Sequence, residues 1–407
     1  MHRPRRRLLQ PPGTWKSVDG GYGRDCVPTH LQNAGGAPSA HGGRGLAGDA
    51  ETLPLRELAP CFLTGATGQI GSDCLRQLNA AGVVPGVLLR RPMPPGAWRG
   101  ARVVEVAGDL AALATGDPAP ALRDALRGTR TLIHLAARVN LAGRGADEME
   151  RLNARATVEL FALARASGVR RFVHVSTTGT IGGSREPRPL NEDATYNLAG
   201  FGNPYFDTKR RAEEELLRRW GEDPTGTELV IANPSIVIGR QVSLRRLARE
   251  RRSRPPAPGS WPLRLVCFWF AGGLNLVDLR DASDGILRVA LLGRPGRRYI
   301  LAGENLPVRE LMWHLHRVLG TGPPIVRLPI WLIRAGAAAA EELARLTGGR
   351  ARLNRSVARL GGHYWYYDST RAQRELGWRF RPIAETLADL RAWLLEPRQA
   401  VDEGGNR

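Results

Sequence analysis

The 407-residue chain has almost no lysine: Lys16 and Lys209 stand alone against 57 arginines. Cysteine is scarce too. Cys26, Cys61, Cys74 and Cys267 are far apart and form no CxxC pair. That excludes a disulfide framework and a cysteine-based metal site (no metal is expected), and it fits a reducing, cytoplasmic compartment. No uncharged apolar run approaches about 18 residues, so no transmembrane helix is expected. The longest candidate, Leu265 to Leu274, is too short. Acidic residues are outnumbered, 39 against 59 basic, for a net charge of +20. The arginine bias accompanies abundant Ala, Gly and Pro and reads as a composition effect on a solvated surface. No basic stripe interleaved with aromatics and no base-reading motif is present, so no nucleic-acid partner is expected. The densest basic stretch, residues 240–264, has eight arginines and one glutamate. It could attract an anionic substrate or an acidic membrane surface.

What is present is enough apolar sequence, 42%, to fill one large core or two smaller ones. Residues 1–58 are rich in Gly, Pro and Arg and lack a sustained period, so they read as a disordered tail. Their basic start resembles a signal n-region, but Gln10-Pro11-Pro12-Gly13 interrupts it before any apolar region forms. Order is expected near Pro60. Short apolar strands at 61–64, 87–89, 102–106, 131–135, 171–175 and 229–232 alternate with helices at 69–81, 146–166 and 205–220. This is the pattern of an α/β, Rossmann-type doubly wound parallel sheet. The expected division is an NAD(P)-binding domain over 59–240, a smaller C-terminal α+β substrate lobe over 241–397 and a tail over 398–407. Some lobe segments are expected to return to the first domain. Helical pieces near 281–292, 307–319, 329–346 and 384–395 belong to that second half, with short strands near 298–302 and 364–367.

Gly65-Ala66-Thr67-Gly68-Gln69-Ile70-Gly71 follows the first strand and opens the first helix. Glycine there permits positive φ and close approach to a pyrophosphate, while the helix start offers unpaired N–H groups. An acid usually follows about 20 residues later, to hold a ribose 2′-hydroxyl. Arg90 and Arg91 occupy that place. Two guanidiniums favour a 2′-phosphate, so NADP(H) is expected over NAD(H). Asp109, followed by Leu110, is placed to reach an adenine. His134-Leu135-Ala136-Ala137 ends the fourth strand with small residues on which a cofactor can lie.

Tyr205 and Lys209 are separated by one helical turn, so phenol and ammonium can converge. A lysine beside a tyrosine lowers the phenol pKa and makes it a usable acid/base. In a chain so poor in lysine, the choice of a compact ammonium at this place is itself informative. Val175-Ser176-Thr177-Thr178 ends the fifth strand, and any of its three hydroxyls could polarise a carbonyl.

Together these segments resemble the extended short-chain dehydrogenase/reductases, the NAD(P)-dependent epimerase/dehydratase superfamily, over about residues 60–395. The likeness implies a catalytic hydroxyl at Thr178, with Ser176 beside the cofactor. It also implies that Tyr205 and Lys209 touch both cofactor and substrate, and that Asn233-Pro234-Ser235 lies under the nicotinamide. Gly273-Leu-Asn-Leu-Val-Asp278 and Tyr367-Asp-Ser369 look most like the branch of dihydroflavonol-reductase-like proteins, hopanoid-associated epimerases and 3β-hydroxysteroid dehydrogenases. Leu274 stands where nucleotide-sugar epimerases usually carry an arginine. A homodimer follows from resemblance alone.

The expected activity is NAD(P)-dependent interconversion of a carbonyl and a secondary alcohol, on a small-molecule substrate. The alternatives are an epimerase that oxidises a sugar transiently with retained NAD, and a non-catalytic NADP-binding sensor or scaffold. Trp261, Phe268, Trp269, Phe270, Tyr364, Trp365 and Tyr366 could line a pocket for a bulky, lipophilic substrate, or pack as core. Pro329 to Arg334 reads as the start of a helix buried in the lobe, the alternative being a peripheral helix resting on a membrane.

Overall fold

Strands made of continuous apolar residues need cover on both faces, and the chain supplies it. The structure is a computed structural model and describes residues 53–116, 120–240, 267–319, 323–347 and 355–395. The first half runs β1 (Cys61–Thr64), α1 (Gln69–Ala80), β2 (Gly86–Leu89), β3 (Val104–Ala107), α2 (Leu110–Leu113), α3 (Pro120–Leu126) and β4 (Thr131–His134). A helix in three parts follows: α4 (Ala146–Met149), a π turn over Glu150–Arg155, and α5 (Ala156–Ala166). Then come β5 (Arg171–Val175), α6 (Pro204–Glu222), β6 (Glu228–Pro234) and β7 (Ile236–Ile238). The second half holds β8 (Cys267–Trp269), β9 (Gly273–Asp278), α7 (Leu279–Leu292), β10 (Arg298–Leu301), β11 (Glu304–Pro307) and α8 (Val308–Leu319). It closes with β12 (Pro324–Arg327), α9 (Ile330–Leu346), α10 (Arg355–Leu360), β13 (Tyr364–Trp365), α11 (Thr370–Leu376) and α12 (Ile383–Leu395).

Seven strands form one parallel sheet in the order β10-β6-β5-β4-β1-β2-β3. The order reverses between β1 and β4. A crevice therefore opens at the carboxyl ends of those strands, where the glycine loop leaves β1. Alternation along each strand divides the core. Phe62, Leu132, Phe172 and Leu229 pack with Leu160 and Phe161 of α5 and Leu216 of α6. Leu63, Ile133, Val173 and Val230 pack on the other face with Leu78 of α1, Ile286 and Val289 of α7, and Trp378. Each such side chain contributes about 1.5–3 kcal/mol on leaving water. A second sheet has β9 at its centre, antiparallel to β11 and parallel to β7 and β13.

Several expectations change. The tail read through residue 58 ends sooner: Leu55–Leu58 form a 3₁₀ turn whose Leu55 and Leu58 are buried in the first-sheet core. One expectation does not change in kind: β10, a segment of the second half, runs as the seventh strand of the first sheet, where some lobe segments were expected to return. The helix at 146–166 is interrupted by the π turn. The helix expected to be buried, α9, is mostly exposed, and Ala337 is its buried residue. Residues 1–52, the basic run from 241 on, Trp261 and the tail from 398 lie outside the described residues. Among the described residues, no helix is long and apolar enough to cross a membrane.

Candidate active site

The loop after β1 is shaped by what its glycines exclude. Gly65 has φ of 74°, and a Cβ there would stand 2.6 Å from the Ala136 nitrogen. A Cβ on Gly71 would lie 2.2 Å from the Gly65 carbonyl oxygen. Only bare backbone allows α1 to start this close to the ends of β1 and β4. Thr67 and Gly68 are exposed at the tip, with Gln69 and Ile70 partly buried behind them. This cradle at a helix N-terminus suits a dinucleotide pyrophosphate. Two further features suit a bound cofactor. Ser176 Oγ and Ser235 Oγ are buried without a hydrogen-bond partner among the described residues. Leu135, Ala136 and Ala137 are half-buried at the end of β4.

Arg90 and Arg91 are exposed just beyond β2. Asp109 caps α2 by accepting the Ala111 N–H at 3.0 Å. Leu110 is a correction: its side chain is buried in the core with Leu88 and Leu132, so it offers a cofactor backbone only.

Asn203 sets the start of α6. Its Oδ1 accepts from the Tyr205 and Phe206 N–H groups at 3.2 and 3.4 Å, and Pro204 takes the first helical position. Tyr205 and Lys209 therefore share one inward face, and both are buried. The Lys209 ammonium donates to the Val175 carbonyl at 2.8 Å and to His174 Nε2 at 3.2 Å. Burial brings Lys209 down to about 8, with Glu213 pulling the other way. Burial pushes the Tyr205 phenol up to about 12, and its bond to the Thr177 hydroxyl lowers it only in part. Two of the three donors of the Lys209 ammonium thus go to strand β5, and burial holds the phenol up, and so protonated near neutral pH, against the lowering read from the sequence.

The hydroxyl at the phenol is a second correction. Thr177 is the partly exposed member of the cluster and the partner of Tyr205. Thr178 is buried and hydrogen-bonded to Tyr367 instead. The cause is local. Thr177 is extended, with φ of −157°, and its hydroxyl accepts from the Gly179 N–H at 3.3 Å, while a 3₁₀ turn begins at Thr178.

Asn233 also differs from expectation. Its Nδ2 lies 3.0 Å from the Thr177 carbonyl, 3.0 Å from Thr180 Oγ1 and 2.8 Å from Glu213 Oε1. It braces the hydroxyl loop from behind, while Pro234 beside it is buried at the end of β6. Glu213 is fully buried, one turn after Lys209, with Arg298 of β10 at 3.6 Å. Other supports were not read from sequence. The His134 ring lies between Thr64 at 2.7 Å and Thr157 at 2.9 Å. Thr64 Oγ1 accepts from the Ala136 N–H, which leaves its own proton for His134 Nδ1. Burial lowers His134 to about 3 and His174 well below its usual range, so both rings are neutral. Asn153, in the π turn, donates to the Arg138 carbonyl and accepts its N–H, at 2.9 and 2.8 Å, fixing the loop after β4.

Aromatic packing leads away from Tyr205. The Phe206 ring lies 5.7 Å from Tyr205 and 5.6 Å from Trp365. Trp365 and Tyr366 are buried, Trp269, Phe270 and Tyr364 partly so, and Phe268 is exposed.

Comparison with known proteins gives a consistent result. The NAD dependent epimerase/dehydratase family matches residues 61–254. Sterol demethylase protein B of Methylococcus capsulatus is 30% identical over 342 residues, covering 82% of this chain and 98% of that protein. A farnesyl dihydroquinoline oxide ketoreductase of Stigmatella aurantiaca is 27% identical over 329 residues, covering 78% and 91%. Among solved structures, that of gox2253 superposes with a TM-score of 0.66 at 26% identity, covering 82% of this chain and 97% of that one.

Proposed function

The chain belongs to the NAD-dependent epimerase/dehydratase family, the extended short-chain dehydrogenase/reductases, and from that premise we propose that it is an NADP(H)-preferring reductase of bulky, lipophilic ketones. The observation that carries the reading is the buried Tyr205 phenol with the partly exposed Thr177 hydroxyl beside it, at the carboxyl end of the sheet. Burial keeps the phenol protonated, which is the form a carbonyl reduction consumes. Thr177 donates a hydrogen bond to the substrate oxygen and polarises the carbonyl. Tyr205 gives its proton to the oxygen as negative charge develops. Lys209 supplies a fixed positive charge behind them, and the Glu213–Asn233–Thr180 network holds the hydroxyl loop in register. No acid follows the hydroxyl pair, since Gly179 stands there, which argues against a dehydratase.

A bound nicotinamide nucleotide would supply the hydride. The Gly65–Gly71 loop suits its pyrophosphate, Arg90 and Arg91 a 2′-phosphate, Asp109 the adenine, and Lys209, Ser176 and Ser235 the ribose and nicotinamide end. The lipophilic substrate class draws support from Phe206 and Trp365 behind the catalytic tyrosine. It also draws on two relatives named for a sterol and for a farnesyl-bearing ring.

The test is titration of the purified chain with NADPH and with NADH, followed by nicotinamide fluorescence, together with release of any retained nucleotide by denaturation. Tight NADPH binding, weak NADH binding and an empty protein are expected. Retained NAD⁺ would overturn the NADP assignment in favour of an epimerase that regenerates its cofactor.

A further inference from the structure

α9 turns its apolar side outward. At 100° per residue, Trp331, Leu332, Ala335, Ala339, Leu343 and Leu346 fall within an arc of about 120°, and all six are exposed. Trp331 is 67% exposed, Leu343 62% and Leu346 75%. The one acid within the arc, Glu342, is paired with Arg345 at 2.7 Å. Ile325 and Val326 of β12, just before α9, are exposed too, as is Phe268 of β8, opposite Val326. An apolar helix face turned to solvent in this way marks a contact site.

The charges around it select the contact. Among the described residues of 323–360, five arginines (327, 334, 345, 355 and 359) stand against Glu341 and Glu342. A second copy of the chain would bring the same basic rim and the same net charge of +20, so the two faces would repel. An anionic bilayer surface answers both features. It takes Trp and Leu into the acyl boundary and pairs arginines with its headgroups.

The face is also joined to the catalytic helix. Glu341 of α9 meets Arg355 of α10 at 3.6 Å, and Arg334 reaches the Gly361 carbonyl. Ser356 of α10 donates to the Leu141 carbonyl at 3.2 Å, and Asn203, the cap of the Tyr205 helix, donates to that same oxygen at 3.2 Å. Arg359 donates to the Phe201 carbonyl, four residues before Tyr205.

We propose that α9 and the adjoining β12 edge dock the enzyme on anionic phospholipid membranes, so that a lipophilic substrate enters from the bilayer beside α10. The substrate half of this inference rests on the reductase reading; the docking half does not. The full-length chain would be sedimented with sucrose-loaded vesicles of phosphatidylcholine, with and without phosphatidylglycerol. The wild type is expected to bind only the vesicles containing phosphatidylglycerol. A Trp331→Ser/Leu343→Gln/Leu346→Gln variant is expected to lose about 10-fold or more in partitioning, with unchanged melting temperature and unchanged NADPH titration. Equal binding by variant and wild type, or no binding by wild type, would overturn the proposal. So would a wild-type dimer that the variant dissociates, since the face would then belong to a second copy. NADPH titration of the same preparation reads the cofactor site separately, so either idea can fail alone.

Discussion

Two helices of similar length treat their side chains in opposite ways. α6, 19 residues long, buries Lys209 and Glu213 beside Tyr205 and Leu216. α9, 17 residues long, exposes a tryptophan and three leucines and buries one alanine. Each breaks the rule that polar groups face water and apolar groups the core, and each departure costs stability. On α6 the cost is offset by partners: Val175, His174, Asn233, Thr180 and Arg298 surround the two charges. On α9 no covering residue is found within the described chain, so the partner is sought outside it. In the proposed reading these two rule-breaking helices are the working surfaces, one for chemistry and one for docking.

The sharpest way to break the α6 side is Tyr205→Phe. Removing the proton donor should lower kcat by about 10³-fold, within the range for a positioned acid. NADPH affinity should stay within a few-fold, read by fluorescence titration. The pair Thr177→Val and Thr178→Val separates polarisation from packing. Thr177→Val should cost about 10²-fold in kcat. Thr178→Val should act chiefly on the melting temperature, through its bond to Tyr367. Arg90→Ala/Arg91→Ala should weaken NADPH binding about 10- to 100-fold and leave NADH binding nearly unchanged.

Lys209 tests whether α6 carries a burial cost. Its pKa is about 8 when folded and 10.5 in the ordinary case. Between those values the unfolded chain holds a proton that the folded chain has released. This group's contribution to stability therefore rises with pH across that window and is least favourable below about 8. Lys209→Met should abolish turnover yet melt no lower than wild type at pH 7. The difference between the two melting curves should narrow as pH rises from 8 to 10.5. The smallest effect belongs to α9: Leu343→Gln should change folding stability by no more than about 0.5 kcal/mol, as for an exposed site.

Much of this was legible in the residues. The bounds of β1 and β5 follow from short apolar runs, and the glycine loop and the one-turn spacing of Tyr205 and Lys209 need only local geometry. What escaped depends on distant pairing or on a single step of backbone. Glu213 resembles any other acid on an arginine-rich helix until Asn233 and Arg298, from two other strands, close on it. Thr177 and Thr178 are chemically alike, and only the 3₁₀ turn beginning at Thr178 tells which one meets the phenol. A 3.6-residue period in α9 reveals an apolar face but not its direction. The partners of Lys209 also needed the third dimension, because they lie on β5.

At the centre is the joint action of Tyr205 and Thr177 in the reduction of a ketone by NADPH. The most direct measurement is single-turnover oxidation of NADPH by a fused-ring ketone in stopped flow, with wild type, Thr177→Val and Thr178→Val compared. Rapid loss of nicotinamide absorbance is expected in wild type and Thr178→Val, with a slowing of about 10²-fold in Thr177→Val. A fast Thr177→Val beside a slow Thr178→Val would contradict it.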